Sequence, residues 1–342
     1  MIKDILENLG YKLVDNGNHW RTSAVYRNGD NATALQIYKN TGVWNDYVDD
    51  SKSKPFEALV KLTLEGQPKK LKETLKLIGK KQDHSFDSKP KSLIQMEKTY
   101  DKSILNKLFP NYNFYKKRNI SDETQKAFQV GLAGNGNMYR RMVFPIYNDS
   151  SQIVGFSGRR VDDNDFAKWK HIGKKNNWVY PAYVPNKETV DKTITKERKV
   201  FLVESIGDAM ALYEHGIKNV LVIFGLSASA SIISYLSGKS LDKIIIAGNN
   251  DFNSQENRGL IASIKNYIKL SSYFDLDTLS IKTPPKGSND LGEAHESGED
   301  LSAWSTHSYE TKEQRKFISD FVIKNENKFS KIYIKKASKL NE

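Results

Sequence analysis

The chain has 342 residues, 53 Lys plus Arg against 41 Asp plus Glu, a formal net charge of +12 and no cysteine. That length implies two or three domains with ample core, and the cationic excess favours a polyanionic partner, although a lysine-rich soluble surface would give the same balance. Without cysteine, disulfides, thiolate zinc sites and thiol catalysis are excluded. No apolar run reaches the ~18 residues of a membrane span, and the first ten residues lack the apolar stretch of a signal peptide, so a cytoplasmic protein with no membrane partner is expected.

Residues 2–10 read as a short amphipathic helix, with Ile5, Leu6 and Leu9 on one face and Gly10 ending it. Strand-like pieces follow in HWRTSAVY, ALQIYKN and VWNDYVD, with a tight turn at Asn28-Gly29, and helices are expected at 55–64 and 68–79. Together they make a small α+β unit over residues 1–80, and the polar, Lys-rich stretch 81–99 reads as a linker. Trp20, Trp44 and Tyr47 are candidates for its apolar centre. Trp20 with Arg21, Arg27 and Lys39 offers a second use, base stacking and phosphate contact.

Over residues 100–195, Ser121 is a helix N-cap followed by acidic Asp122 and Glu123. Apolar runs at 142–147 and 153–157 flank an Asn148-Asp149 turn and predict a hairpin. Arg141 before its first strand and Arg159 after its second should then lie near one another. With Lys168 they form a cationic set suited to phosphate oxygens. Arg118, Lys170, Lys174 and Lys175 read as solvated surface charge.

Residues 196–300 carry three β-branched runs, at 200–203, 220–224 and 244–246, separated by helix-length segments. That alternation predicts parallel strands with crossover helices, whose ligands gather at the carboxyl ends of the strands. Glu204 and Asp251 both fall there. Paired carboxylates in that position suit a hard divalent cation held against phosphates. A further helix is expected after Asp251, with Leu260, Ile261, Ile264 and Ile268 at helical spacing, and residues 301–342 read as one or two amphipathic helices.

Several of these stretches resemble one family. Glu204, Asp208 and the turn Asn249-Asn250-Asp251 are similar to a toprim domain, in which a Glu on the first strand is joined by an Asp-x-Asp on a later one; here Asn249 replaces the first of those aspartates. NFYKKRNISDETQKAFQVGLA and YRRMVFPIYNDSSQIVGFSGRRV resemble the opening of the catalytic core of DnaG-type primases, and AKWKHIGKK resembles its next basic box. PPKGSNDL resembles the stretch that closes the toprim unit, with Asn289 and Asp290 kept and Gly287 where the family has an acidic residue. The helix–ribbon–helix order of residues 1–80 is similar to the family's N-terminal zinc ribbon, with Ser23, Tyr26, Trp44 and Tyr47 at turn positions comparable to its Cys and His ligands, so no zinc is expected.

The resemblance implies an α/β fold with α+β parts: a zinc-less ribbon-like domain at 1–80, a linker at 81–99, a primase-core N-terminal subdomain at 100–195, a toprim domain with a helix-flanked parallel sheet at 196–300, and a helical tail at 301–342. It implies a DNA primase that makes short RNA primers on single-stranded DNA from ribonucleoside triphosphates. Mg2+ or Mn2+ would be held among Glu204, Asp208, Asn249, Asp251 and Asp290, with Glu204, Asp208 and Asp251 catalytic. Arg141, Arg159 and Lys168 would contact nucleotide or template, and a replicative helicase would be a partner. For the tail, helicase docking and packing against the toprim domain stay open. The modest length and the lost zinc ligands look more like a bacteriophage primase than a cellular one. Because Asn249 and Gly287 remove charge, a catalytically weakened or silent toprim protein that serves replication by binding DNA is the alternative. A toprim nuclease or topoisomerase fits less well, since no separate nucleophile-bearing domain is evident.

Overall fold

The computed structural model describes residues 2–47, 53–79, 97–162, 167–185, 189–252, 254, 256–306 and 311–340. Most of the expected linker lies outside the described residues. The chain divides into two units, Met1–Ile94 and Gln95–Glu342.

The first unit runs α1 (Ile2–Asn8), β1 (Val14–Asn16), β2 (His19–Thr22), β3 (Leu35–Tyr38), β4 (Trp44–Asp46), α2 (Phe56–Thr63) and α3 (Pro68–Gly79). Its four strands form an antiparallel meander in the order β1-β2-β3-β4. Fully buried Trp44, with Trp20, Ile37 and Leu59, fills one core, and the Trp44 indole N–H donates to the Pro55 carbonyl at 3.0 Å. Tyr47 departs from the expectation: it is 54% exposed, because the strand has ended and its ring turns outward beneath Arg21. The unit instead gains a polar lock. Buried Asp46 accepts from the Tyr26 hydroxyl and from two nitrogens of Arg27, Nε at 3.1 Å and Nη2 at 3.2 Å. A carboxylate closed in this way has its charge paired and its oxygens satisfied.

The second unit holds two sheets. The first is antiparallel, ordered β5-β6-β7-β8-β9: β5 (Leu108–Phe109), β6 (Gly131–Ala133), β7 (Arg141–Tyr147), β8 (Ile153–Arg160) and β9 (Trp169–Ile172), with α4 (Asn113–Lys116) and α5 (Asp122–Ala127) between β5 and β6. Ser121 caps α5, as its sequence suggests, and accepts from the Thr124 amide at 3.2 Å. The predicted hairpin is the pair β7–β8.

After α6 (Val190–Glu197) comes the parallel sheet, ordered β11-β10-β12-β13: β10 (Lys199–Val203), β11 (Val220–Val222), β12 (Lys243–Ala247) and β13 (Leu279–Ile281). Crossovers α7 (Ile206–Glu214), α8 (Ala230–Ser237) and α9 (Arg258–Leu270) connect these strands. Along β10, Phe201 and Val203 enter one core with Phe144, Trp178 and Tyr180, while Val200 and Leu202 enter another with Ile264 and Tyr267. Burial on both faces is why these strands read as unbroken apolar runs rather than alternating ones. The chain leaving β9 also touches this sheet, since the Val222 amide donates to the Tyr180 carbonyl at 2.8 Å.

The last helices are α10 (Leu291–Glu296), α11 (Leu301–Thr306), α12 (Thr311–Lys324) and α13 (Lys331–Ala337). Ile318, Val322, Ala337 and Leu340 pack into the second core, so the apolar stripe of the tail is spent within this unit. Gln314 closes the edge of β13, accepting from the Ile281 amide at 2.8 Å and donating to its carbonyl at 2.6 Å. No helix among the described residues is long and apolar enough to cross a membrane.

Candidate active site

The carboxyl ends of the parallel strands gather the acidic residues. Glu204 follows β10 directly, and Ser205 then caps α7 in a reciprocal box: the Asp208 amide donates to Ser205 Oγ at 3.3 Å, and Asp208 Oδ2 accepts from the Ser205 amide at 3.0 Å. Its other oxygen accepts from the Gly292 amide at 3.2 Å, so Asp208 ties the start of α7 to the start of α10. Asp290 caps α10 through the Glu293 amide at 2.7 Å. Asp251 accepts from the Gly259 amide, in the first turn of α9, at 3.0 Å. Three aspartates are thus held by backbone amides at helix N-termini, where negative charge is stabilised.

Glu204 differs. It accepts no hydrogen bond from any described residue, and burial, then Asp208, Asp251 and Asp290, push its carboxyl up to about 7 while Lys168 pulls the other way. Burial and Asp290 likewise raise Asp208 above the usual carboxylate range. The turn carrying Asn249 is fixed by its backbone: a Cβ on Gly259 would lie 2.2 Å from the Asn249 carbonyl oxygen, and the Asn250 amide donates to Asn289 at 2.7 Å.

Oxygen-only donors that repel one another suit a hard divalent cation, and Glu204, with one oxygen of Asp251 and one of Asp290, remains unbonded among the described residues. The same residues are not gathered as a ready-made ligand set: among the described residues no three His, Asp or Glu side chains are grouped closely enough to hold a metal.

Across from Glu204 stands the end of the antiparallel sheet. A cleft of about 150 Å3 is lined by Trp169 and His171 of β9, by Glu204 and Ser205, and by Phe224 and Gly225 after β11. Phe224 has φ +53°, a left-handed conformation that is costly for an aromatic residue. It is held there by edge contacts with Trp178 and His171, at 5.1 and 5.6 Å between centroids, and by Lys175, whose Nζ donates to its carbonyl at 2.9 Å. Gly225 follows at φ +145°, where any Cβ would be strained. Burial, then Lys175 and Arg141, push the His171 imidazole down to about 4. His171, Lys175 and Phe224 were missed as site residues because nothing in KHIGKKNN separates one lysine from its neighbours; the fold does that by laying Lys175 on the Phe224 carbonyl.

The cations expected to act together divide. Arg141 pairs with Arg160 and Met142 with Arg159, so Arg141 and Arg159 stand on opposite faces of the sheet. Arg141 is buried, with Nη1 donating to the carbonyls of Gly158 at 3.1 Å and Lys168 at 3.2 Å, and Nη2 to Ala167 at 2.8 Å. It fixes the segment that carries Lys168, with three of its five N–H donors committed to backbone carbonyls. Arg159 lies between the rings of Phe114 and Trp169, 5.7 and 5.8 Å away, and Lys168 is exposed within electrostatic reach of Glu204. Arg118 pairs with Glu296.

In the first unit, Trp20 is core, and Arg27 is committed to Asp46. Arg21 donates to the Thr33 carbonyl at 3.1 Å and covers Tyr47. Lys39 pairs with exposed Asp15 at 2.6 Å and lies 5.7 Å from the Trp20 ring.

A parallel sheet with carboxylates at its strand ends, facing a sheet that presents Lys168, Arg159 and an aromatic cleft, defines a toprim-like architecture. No family model matches the chain. It is 27% identical over 157 residues to the DNA primase of Lactococcus lactis subsp. lactis (strain IL1403), covering 36% of this chain and 25% of that protein. Against an uncharacterized protein, MG010, of Mycoplasma genitalium it is 25% identical over 212 residues, covering 60% of this chain and 92% of that one. Among solved structures, the catalytic domain of a DnaG primase bound to single-stranded DNA superposes with a TM-score of 0.51 at 16% identity, covering 70% of this chain and 92% of that one. The match spans about a quarter to a third of the curated primases' length (25% and 30%). Over the matched residues the chain is similar in sequence to DNA primases, and it shares the fold of a DnaG primase catalytic domain.

Proposed function

We propose that this chain is a DNA primase that joins ribonucleotides on a single-stranded DNA template. The observation that carries the reading is the cleft itself, where Glu204, crowded by three other carboxylates, faces Lys168 and the aromatic end of β9. Glu204, Asp251 and Asp290 would hold Mg2+ or Mn2+, with Asp208 bracing them from beneath. Such a cation, when bound, neutralises phosphate charge at the reacting centre. The chain's own part is positioning. Lys168 and Arg159 bring positive charge to the triphosphate or template backbone, Arg141 fixes the loop that carries Lys168, and the cleft walls exclude water from the part of the nucleotide they enclose.

The template strand would meet Arg21 and Lys39 on the first unit, with Trp20 and Arg27 serving its core. A replicative helicase would meet what the tail leaves exposed, including Phe317, Ile323 and Ile332.

The test is ribonucleotide incorporation on defined single-stranded templates with Mg2+ and Mn2+ compared. Glu204→Ala should lower the rate by about 100-fold or more. Undiminished synthesis in that variant would remove Glu204 from the reaction. The second reading, a silent DNA-binding toprim protein, is favoured by Asn249 and by the absence of a gathered ligand set among the described residues. It predicts synthesis only after Asn249→Asp.

A further inference from the structure

The cleft beside Glu204 is too small for a whole nucleotide, and its chemistry is uneven. Polar Glu204 and Ser205 line it together with the rings of Trp169, Phe224 and His171. His171 Nδ1 has no hydrogen-bond partner among the described residues. Ser157, opposite His171 in the β8–β9 register and so on the same face, is fully buried with its hydroxyl equally unpaired. Trp178, whose ring meets His171 edge-on at 5.8 Å, has a buried indole N–H in the same condition. Buried polar atoms without partners are costly, and three of them, each closed to solvent, cluster at the one imidazole whose ring also lines the cleft.

We propose that His171, backed by Ser157 and Trp178, positions the sugar of the incoming nucleotide through a hydroxyl and thereby selects ribonucleotides over deoxyribonucleotides. The inference rests on the polymerase reading of this site and deepens it. Four features lead to the sugar. Burial, then the charges of Lys175 and Arg141, keep His171 uncharged, so it is no partner for phosphate. A neutral imidazole offers one donor and one acceptor, the complement of a hydroxyl. The volume suits a sugar ring between aromatic walls. Finally, the sugar adjoins the α-phosphate in a nucleoside triphosphate, and Glu204 lies in the same small cleft.

The test is calorimetric binding of ATP and of 2′-deoxy-ATP, each with Mg2+, to the full chain and to its His171→Phe and His171→Asn variants, with thermal melting as the check on folding. The full chain should prefer ATP by about tenfold or more. His171→Phe, which keeps the wall and loses the hydrogen bond, should bring the two affinities within about twofold, and His171→Asn should restore part of the preference. A preference retained in folded His171→Phe, or none in the unsubstituted chain, overturns the proposal alone. Binding of neither nucleotide overturns the polymerase reading and this proposal with it.

Discussion

Glu204 carries a proton in the folded chain over a range where an ordinary glutamate has lost it. Its folded pKa of about 7 exceeds the usual 4.5, so ionisation costs stability: the cost is absent below pH 4, grows between 4.5 and 7, and is constant above 7. Glu204→Gln should therefore melt higher than the unsubstituted chain above pH 7, by on the order of 3 kcal/mol at most, and equally near pH 4. A melting-temperature difference that does not vary with pH would contradict this. The residue was legible from its place at a strand end; its condition was not, because the three aspartates that crowd it come from turns as far apart in sequence as Asp208 and Asp290. The arginines teach the converse. Arg141 and Arg159 look equivalent in sequence, but a strand alternates faces at every residue, and their register sends one into the sheet's interior and the other against Phe114 and Trp169.

At the scale of elements, the parallel strands were legible because two buried faces demand uninterrupted apolar residues. The fourth, β13, was not: Leu279–Ile281 is three residues long and is followed by a Pro-Pro pair, and β12 together with Gln314 makes it a strand. The acidic turns depend on the helices behind them. Gly259 is a clear case, since its lack of a side chain lets α9 approach the backbone of Asn249 and lets its amide reach Asp251. Gly259→Ala should force the turn away from α9 and destabilise the chain by about 2 kcal/mol or more, despite alanine's better helix propensity. Urea titration reads the sign: a stabilising or neutral outcome would show that the turn relaxes freely.

Across the whole molecule, the two units use different means of cohesion. The larger one rests on two apolar cores that share a sheet. The smaller one adds the Tyr26–Asp46–Arg27 lock to a single modest core. With no cysteine in the chain, the sequence points to an aromatic centre for this unit. Trp44 is legible there but Asp46 is not, because a lone Asp in VWNDYVD resembles any turn residue until the strand buries it. Asp46→Asn should destabilise the first unit by about 2 kcal/mol, the cost of leaving half-buried Arg27 beside a neutral partner, while a strong chelator should leave its melting unchanged. Chelator-induced unfolding of that unit would refute the lock.

That lock has a consequence for where the protein can work. Thiolate-bound zinc makes a small domain hostage to peroxide, to heavy metals and to the supply of one trace element. Phenol, guanidinium and carboxylate need no metal and include no thiol. A ribbon fastened by them needs no trace element to fold and has no thiolate for an oxidant to reach.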